Sequence, residues 1–210
     1  MKKSLFITIE GVEGAGKTTS IPVIQETLSA YNEHIVLTRE PGGTEVSEAI
    51  RETLLSQSLP AMHPDTELLL MFAARAEHLR SKIEPALAEN KIVLCDRFTD
   101  STYAYQGGGR GIADSRIKVL EKWTQGTLCA DLTLYLDVDA ATGLARTRIR
   151  EHSDRFEDED IAFFNRIRGK FHELMAEHPE RYRLIDASQS ISEVHQQIRD
   201  VLHTYLKERR

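Results

Sequence analysis

Residues 11–18 read GVEGAGKT, which fits G-x-x-x-x-G-K-[ST] without a mismatch. The chemistry of that pattern is phosphate binding. Gly11, Gly14 and Gly16 allow a tight turn that brings successive backbone N–H groups onto phosphate oxygens, with Val12, Glu13 and Ala15 between them. Lys17 is spaced to reach the outer phosphates of a nucleoside triphosphate, and the Thr18 hydroxyl can ligate Mg²⁺. Glu13 is the odd member, a carboxylate inside an anion cradle. In a generic phosphate loop such a side chain would point away to solvent.

Two further stretches could form a second phosphate site. TREPGGT (38–44) carries Arg39, whose planar fork can hold two oxygens at once, or can pair with Glu40 or another surface acid. CDRFTDSTYAYQGGGRG (95–111) opens with Asp96 and Arg97. An aspartate there can hold Mg²⁺ or accept a hydroxyl hydrogen bond, and an arginine can meet an acceptor phosphate. Thr102, Tyr105 and Gln106 follow. They are the residue types that read a base and a sugar, and also the types that merely pack and solvate a loop.

These groups need elements to position them. Short Ile-, Val- and Leu-rich runs at 4–10, 34–40, 91–97, 132–138 and 182–187 read as strands buried on both faces. Helical patterns fall between them at 17–31, 45–56, 65–89, 113–126, 140–151, 160–177 and 191–207. This alternation, with a phosphate loop after the first strand, predicts a three-layer α/β/α fold of the P-loop NTPase kind, with a five-stranded parallel sheet surrounded by helices. In that frame GVEGAGKT joins the first strand to the first helix, and Arg39, Asp96 and Arg97 lie at carboxyl ends of strands, where ligands bind in open α/β sheets. The helix at 65–89 is apolar on more than one side, which suits either a central core helix or a helix packed against a second subunit.

The totals narrow the class. A chain of 210 residues fits one domain over 1–210, and no linker or repeat divides it. No apolar run is long enough for a membrane span, and the N-terminal stretch, too short and without a cleavage site for a signal peptide, runs straight into the glycine loop as a first strand. Cys95 and Cys129 are the only cysteines, which predicts no disulfide framework and a cytoplasmic setting. A formal net charge of −6 argues against a nucleic-acid partner. GTPases of the switch type need N-K-x-D, and NKIV (90–93) lacks the Asp. What remains is a small-molecule kinase, with a non-catalytic nucleotide-binding regulator as the rival from another class.

Taken together, EGVEGAGKTT, TREPGGT, FAAR, DRFTDSTYAYQGGGRG and RTRIREHSDRFE resemble the bacterial thymidylate kinase family, in the right order and from the first strand to the last helix. That resemblance implies transfer of the γ-phosphoryl group of ATP to dTMP with Mg²⁺, giving dTDP and ADP. It implies that Phe72 stacks on thymine and Arg75 bonds its exocyclic oxygen. Thr102 and Gln106 would lie near the N3 edge, and Tyr105 near the sugar 2′ carbon, so that deoxy substrates are preferred. Arg39 and Arg97 would hold the monophosphate, and Asp96 would organise Mg²⁺. Residues 145–160, by charge alone a solvated helix end and loop, would form a lid. Arg146, Arg148, Arg150 and Arg155 are its candidates to reach the transferred phosphoryl, Arg150 and Arg155 first. Glu13 would face the acceptor nucleotide, accepting a sugar 3′-hydroxyl or holding an arginine such as Arg39. The adenine pocket would involve DASQS (186–190). Relatives are homodimers, so a homodimer is expected. Another nucleoside monophosphate kinase of the same architecture is the closest alternative.

Overall fold

The computed structural model describes residues 4–32, 34–147, 155–156 and 159–209. Five strands, β1 (Leu5–Glu10), β2 (Ile35–Arg39), β3 (Ile92–Asp96), β4 (Leu132–Asp137) and β5 (Tyr182–Asp186), form one parallel sheet in the order β2-β3-β1-β4-β5. Strand periodicity turns Leu5, Ile7 and Ile9 to one face of the sheet and Phe6 to the other, and all four are buried. Each face therefore needs a covering layer. One side is closed by α1 (Lys17–Ser29), α8 (Ile161–Glu177) and α9 (Ile191–Glu208), which bring Ile24, Leu28, Phe164, Ile167, Phe171, Ile198 and Leu202 into the main core. On the other, Leu79, Ile83 and Ala86 pack on Phe6, Val93 and Phe98.

The remaining elements are α2 (Glu45–Leu55), α3 (Pro64–His78), α4 (Glu84–Ala88), α5 (Thr99–Thr102), α6 (Asp114–Gln125) and α7 (Ala140–Thr147). Strand limits agree with the sequence reading to within a residue or so. The 65–89 helix does not run through unbroken. It widens into a π-helical turn at Leu79–Ile83, just before Pro85, which has no backbone N–H to continue an α-helical ladder. A second difference is larger. Residues 99–109, read as loop, form α5 followed by π-helical turns at Tyr103–Gly109. Gly107, Gly108 and Gly109 are poor helix formers, but this segment is held by packing: Gly109 lies against Phe163 of α8 with no room for a Cβ.

The order β2-β3-β1 with β4 on the far side of β1 makes the carboxyl end of β1 the switch point of the sheet, where a crevice opens.

Candidate active site

The loop 11–16 leaves β1 at that crevice and feeds α1. At Gly14 two requirements coincide. Its φ is 72°, and a Cβ would collide with the backbone of Gly143 in α7. A Cβ on Gly143 would lie 2.6 Å from the Glu13 carbonyl oxygen. Backbone of the phosphate loop and backbone of α7 thus touch, and only glycine at both positions permits it. Lys17 Nζ donates to the Gly11 and Val12 carbonyls (2.9 and 3.0 Å), inside the mouth of the loop. Burial, reinforced by the Arg97 charge, lowers its pKa to about 8.

Strand alternation then sorts the residues at the ends of β2 and β3 into two groups. Arg39 and Asp96 are register partners and line one open groove with Thr18. Glu40 and Arg97, each one residue on, line a cleft on the other side. Arg39 is 54% exposed and pairs with Glu48 (2.9 Å). It therefore does not join Arg97, as the sequence reading expected. The cleft instead holds Arg51 of α2 beside Arg97 and the deeper Arg75; Arg51 donates to the Pro41 carbonyl (2.8 Å). In the groove, Asp96 Oδ1 is buried with no hydrogen-bond partner among the described residues, and the exposed Thr18 lines the same wall. Two hard oxygens beside a phosphate loop fit Mg²⁺, which takes one or two protein oxygens with substrate phosphates and water.

Glu13 points across the crevice. Its Oε1 accepts from Arg97 Nη2 (3.0 Å) and its Oε2 from the Tyr105 hydroxyl (2.6 Å). The arginine it holds is Arg97, not Arg39. Arg97 also donates to the Gly11 carbonyl (2.9 Å) and Ser101 Oγ (3.2 Å), and its guanidinium lies over the Tyr105 ring at 4.8 Å. Its φ of 67° is unusual for a non-glycine residue, and these contacts hold it there.

Deeper in the cleft, Arg75 of α3 is fully enclosed. Nε donates to Glu40 Oε2 (2.7 Å) and Nη2 to Thr102 Oγ1 (2.8 Å), while Phe72 and Phe98 flank the guanidinium at 4.8 and 5.2 Å. Glu40 Oε1 is bonded to His78 Nδ1 (3.0 Å), and His78 Nε2 to Thr38 Oγ1 (2.6 Å). After these bonds Arg75 Nη1 is a buried donor with no partner among the described residues. Phe72 is not on the cleft wall. It packs with Leu68, Ile112 and Ile117 behind Arg75. The aromatic lining comes from Phe98, Tyr105 and Phe156. Gln106 lines the cleft and donates to Glu67 Oε1 (2.8 Å).

Of the lid arginines, Arg148 and Arg150 lie outside the described residues. Arg146 donates to the carbonyls of Ala187 (2.9 Å) and Gly14 (3.4 Å), tying α7 to the 186–190 loop and the phosphate loop. Arg155 donates to Glu67 Oε2 (2.6 Å) and to the Leu54 carbonyl, so its guanidinium turns to α3 and the end of α2.

The sequence reading passed over Glu40, Arg51, Glu67, Phe98 and Phe156. A signal existed for Arg51: it stands four residues after buried Ser47 and four before the partly buried Leu55, on the covered face of α2.

A phosphate loop on a 2-3-1-4-5 parallel sheet, next to a separate cleft with its own arginines, defines a P-loop kinase acting on a small phosphorylated acceptor. The family model described as thymidylate kinase matches residues 9–198, and the chain belongs to the thymidylate kinase family. The thymidylate kinase of Pseudomonas fluorescens (strain SBW25) is 53% identical over 206 residues, 98% of each chain. That of Vesicomyosocius okutanii is 52% identical over 202 residues, 96% of this chain and 98% of its own. The crystal structure of thymidylate kinase from Ehrlichia chaffeensis superposes with a TM-score of 0.76 at 36% identity, covering 95% of this chain and 99% of that one.

Proposed function

We propose that this chain transfers the γ-phosphoryl group of ATP to dTMP, giving dTDP and ADP. The observation that carries the reading is the Nη1 of Arg75, a buried donor without a partner among the described residues, placed where a base with an exocyclic carbonyl would supply the acceptor. Arg97 and Arg51 bind the acceptor monophosphate at the other end of the cleft. Tyr105, held by Glu13, lies against the sugar. Phe72 acts from behind by fixing Arg75, while Thr102 and Gln106 complete the base end.

Phosphoryl transfer spreads charge over the equatorial oxygens, so catalysis is chiefly positioning and charge stabilisation. Loop N–H groups of residues 11–18 and Lys17 hold the ATP phosphates. Glu13 fixes Arg97 relative to that loop, and so fixes acceptor relative to donor. Mg²⁺, held through Thr18 and Asp96, would supply further neutralisation of phosphate charge. Arg150 is the lid arginine we assign to the transferred phosphoryl. Arg146 and the 186–190 loop form the adenine end.

We also assign a homodimer, supported by an exposed apolar face on α3 and α6 that includes Leu69, Trp123 and Val119. Sedimentation at micromolar concentration checks it, and a monomer there removes it. No helix of the described residues is long and apolar enough to cross a membrane. The low cysteine count supports a cytoplasmic setting.

The decisive assay is ADP release with ATP-Mg²⁺ and a panel of nucleoside monophosphates. Turnover should be greatest with dTMP. Activity on UMP or GMP with none on dTMP would overturn the proposal.

A further inference from the structure

Glu67 lies in the first turn of α3, its side chain 1% exposed, and it is not part of the cleft wall. Its carboxylate gathers three donors: Gln106 Nε2 (2.8 Å), Arg155 Nη2 (2.6 Å) and Arg110 Nη2 (3.4 Å). Arg110 reaches on to Glu159. Both guanidinium groups lie over the Phe156 ring, Arg155 at 4.8 Å and Arg110 at 5.6 Å. Phe156 in turn meets Tyr105 edge-on at 5.9 Å. Two carboxylates and two guanidiniums thus form a neutral network between α3, the π-helical turns and the described C-terminal part of the 145–160 segment. Such a network contributes little net stability, because desolvation offsets attraction, but removing one member strands a buried charge. What it provides is fixed geometry.

We propose that Glu67 is a positioning residue of the acceptor cleft. It fixes the Gln106 amide directly, and it fixes the Phe156 ring through Arg155 and Arg110. Two wall groups from separate segments are set by one carboxylate. Arg155, on this assignment, holds Phe156 and does not reach the transferred phosphoryl. The proposal rests on the acceptor reading given above.

The test uses Glu67→Gln, Arg155→Met and the double variant, with dTMP and ATP varied separately. Each single variant should raise the KM for dTMP by about tenfold and leave the KM for ATP within about twofold. The double variant should stay near tenfold, because the pair acts as a unit; an additive rise to about a hundredfold overturns the proposal. So does an unchanged dTMP KM in folded Arg155→Met, or a loss of turnover of about 10³-fold in that variant at unchanged dTMP KM, which would put Arg155 on the phosphoryl group. If Glu67→Gln does not fold, Arg155→Met and Phe156→Leu carry the test, and both must raise the dTMP KM selectively. Wild-type enzyme with no dTMP-dependent turnover refutes the acceptor reading itself, a failure separate from any seen only in the variants.

Discussion

Lys17 keeps its buried ammonium against two carbonyls, with a pKa lowered to about 8. Below that pH it is charged and grips phosphate; above it the grip is lost. kcat/KM for ATP should therefore fall above about pH 8, while kcat, read with phosphates already bound, should hold to higher pH. A flat kcat/KM profile through pH 9 would mean that Lys17 is not titrating there. Glu13 joins the donor loop to Arg97 and Tyr105. Glu13→Ala should raise the KM for dTMP and lower turnover, each by about tenfold or more, because a partly buried guanidinium is left without its carboxylate. Steady-state kinetics with dTMP varied at saturating ATP would show it; unchanged constants would cut the link between the two sites.

Elements decide which residues meet. On α3, Glu67, Met71, Arg75 and His78 recur at helical spacing along one inward face, and that face is largely polar. From the sequence the helix reads as broadly apolar, because Leu68, Leu69, Met71 and Phe72 dominate its composition and the charges look like surface charges. What makes them interior is long-range: Glu40, Thr102 and Gln106 come from other segments to pair them. The phosphate loop and the five strands were legible because local pattern alone specifies them. Glycine spacing needs no partner, and doubly buried strands announce themselves in composition. Arg39 lies apart from Arg97 for a local reason as well, since strand alternation puts it on the opposite side from Glu40. The 99–109 helix was not legible, because packing against α8 outweighs the propensity of its glycines. Gly143 carries a prediction at this scale. Gly143→Ala forces a Cβ against the Glu13 carbonyl and should displace the phosphate loop, raising the Kd for ATP by about tenfold at a stability cost of about 1–3 kcal/mol. Isothermal titration with a non-hydrolysable ATP analogue would measure it.

At the scale of the whole molecule, the centre of the sheet holds a charge problem. Glu10 is fully buried at the end of β1, bonded by the Phe98 N–H (2.7 Å) and Ser101 Oγ (2.6 Å). Burial first, then the nearby Asp100 carboxylate, raise its pKa to about 8. The folded chain thus keeps this proton where the unfolded chain, with an ordinary value of 4.5, has released it. Stability from Glu10 is complete below about pH 4.5 and falls as pH rises toward 8, by up to about 1.4 kcal/mol per unit. Glu10→Gln should abolish that decline, so urea unfolding at pH 6 and pH 8 should differ less in the variant than in wild type.

The two sides of α3 have one consequence together. Arg75 on one side faces the acceptor cleft, and Leu69 on the other is 56% exposed on the face assigned to a second copy. If a second copy docks on that face, a rod that bears both surfaces would couple self-association to acceptor binding, and such linkage is reciprocal. Dilution should then weaken the hold on dTMP, and dTMP should tighten the association. Specific activity that falls on dilution at subsaturating dTMP, and recovers when dTMP is raised, would be the signature of a subunit that reads its neighbour and its substrate through opposite sides of one helix.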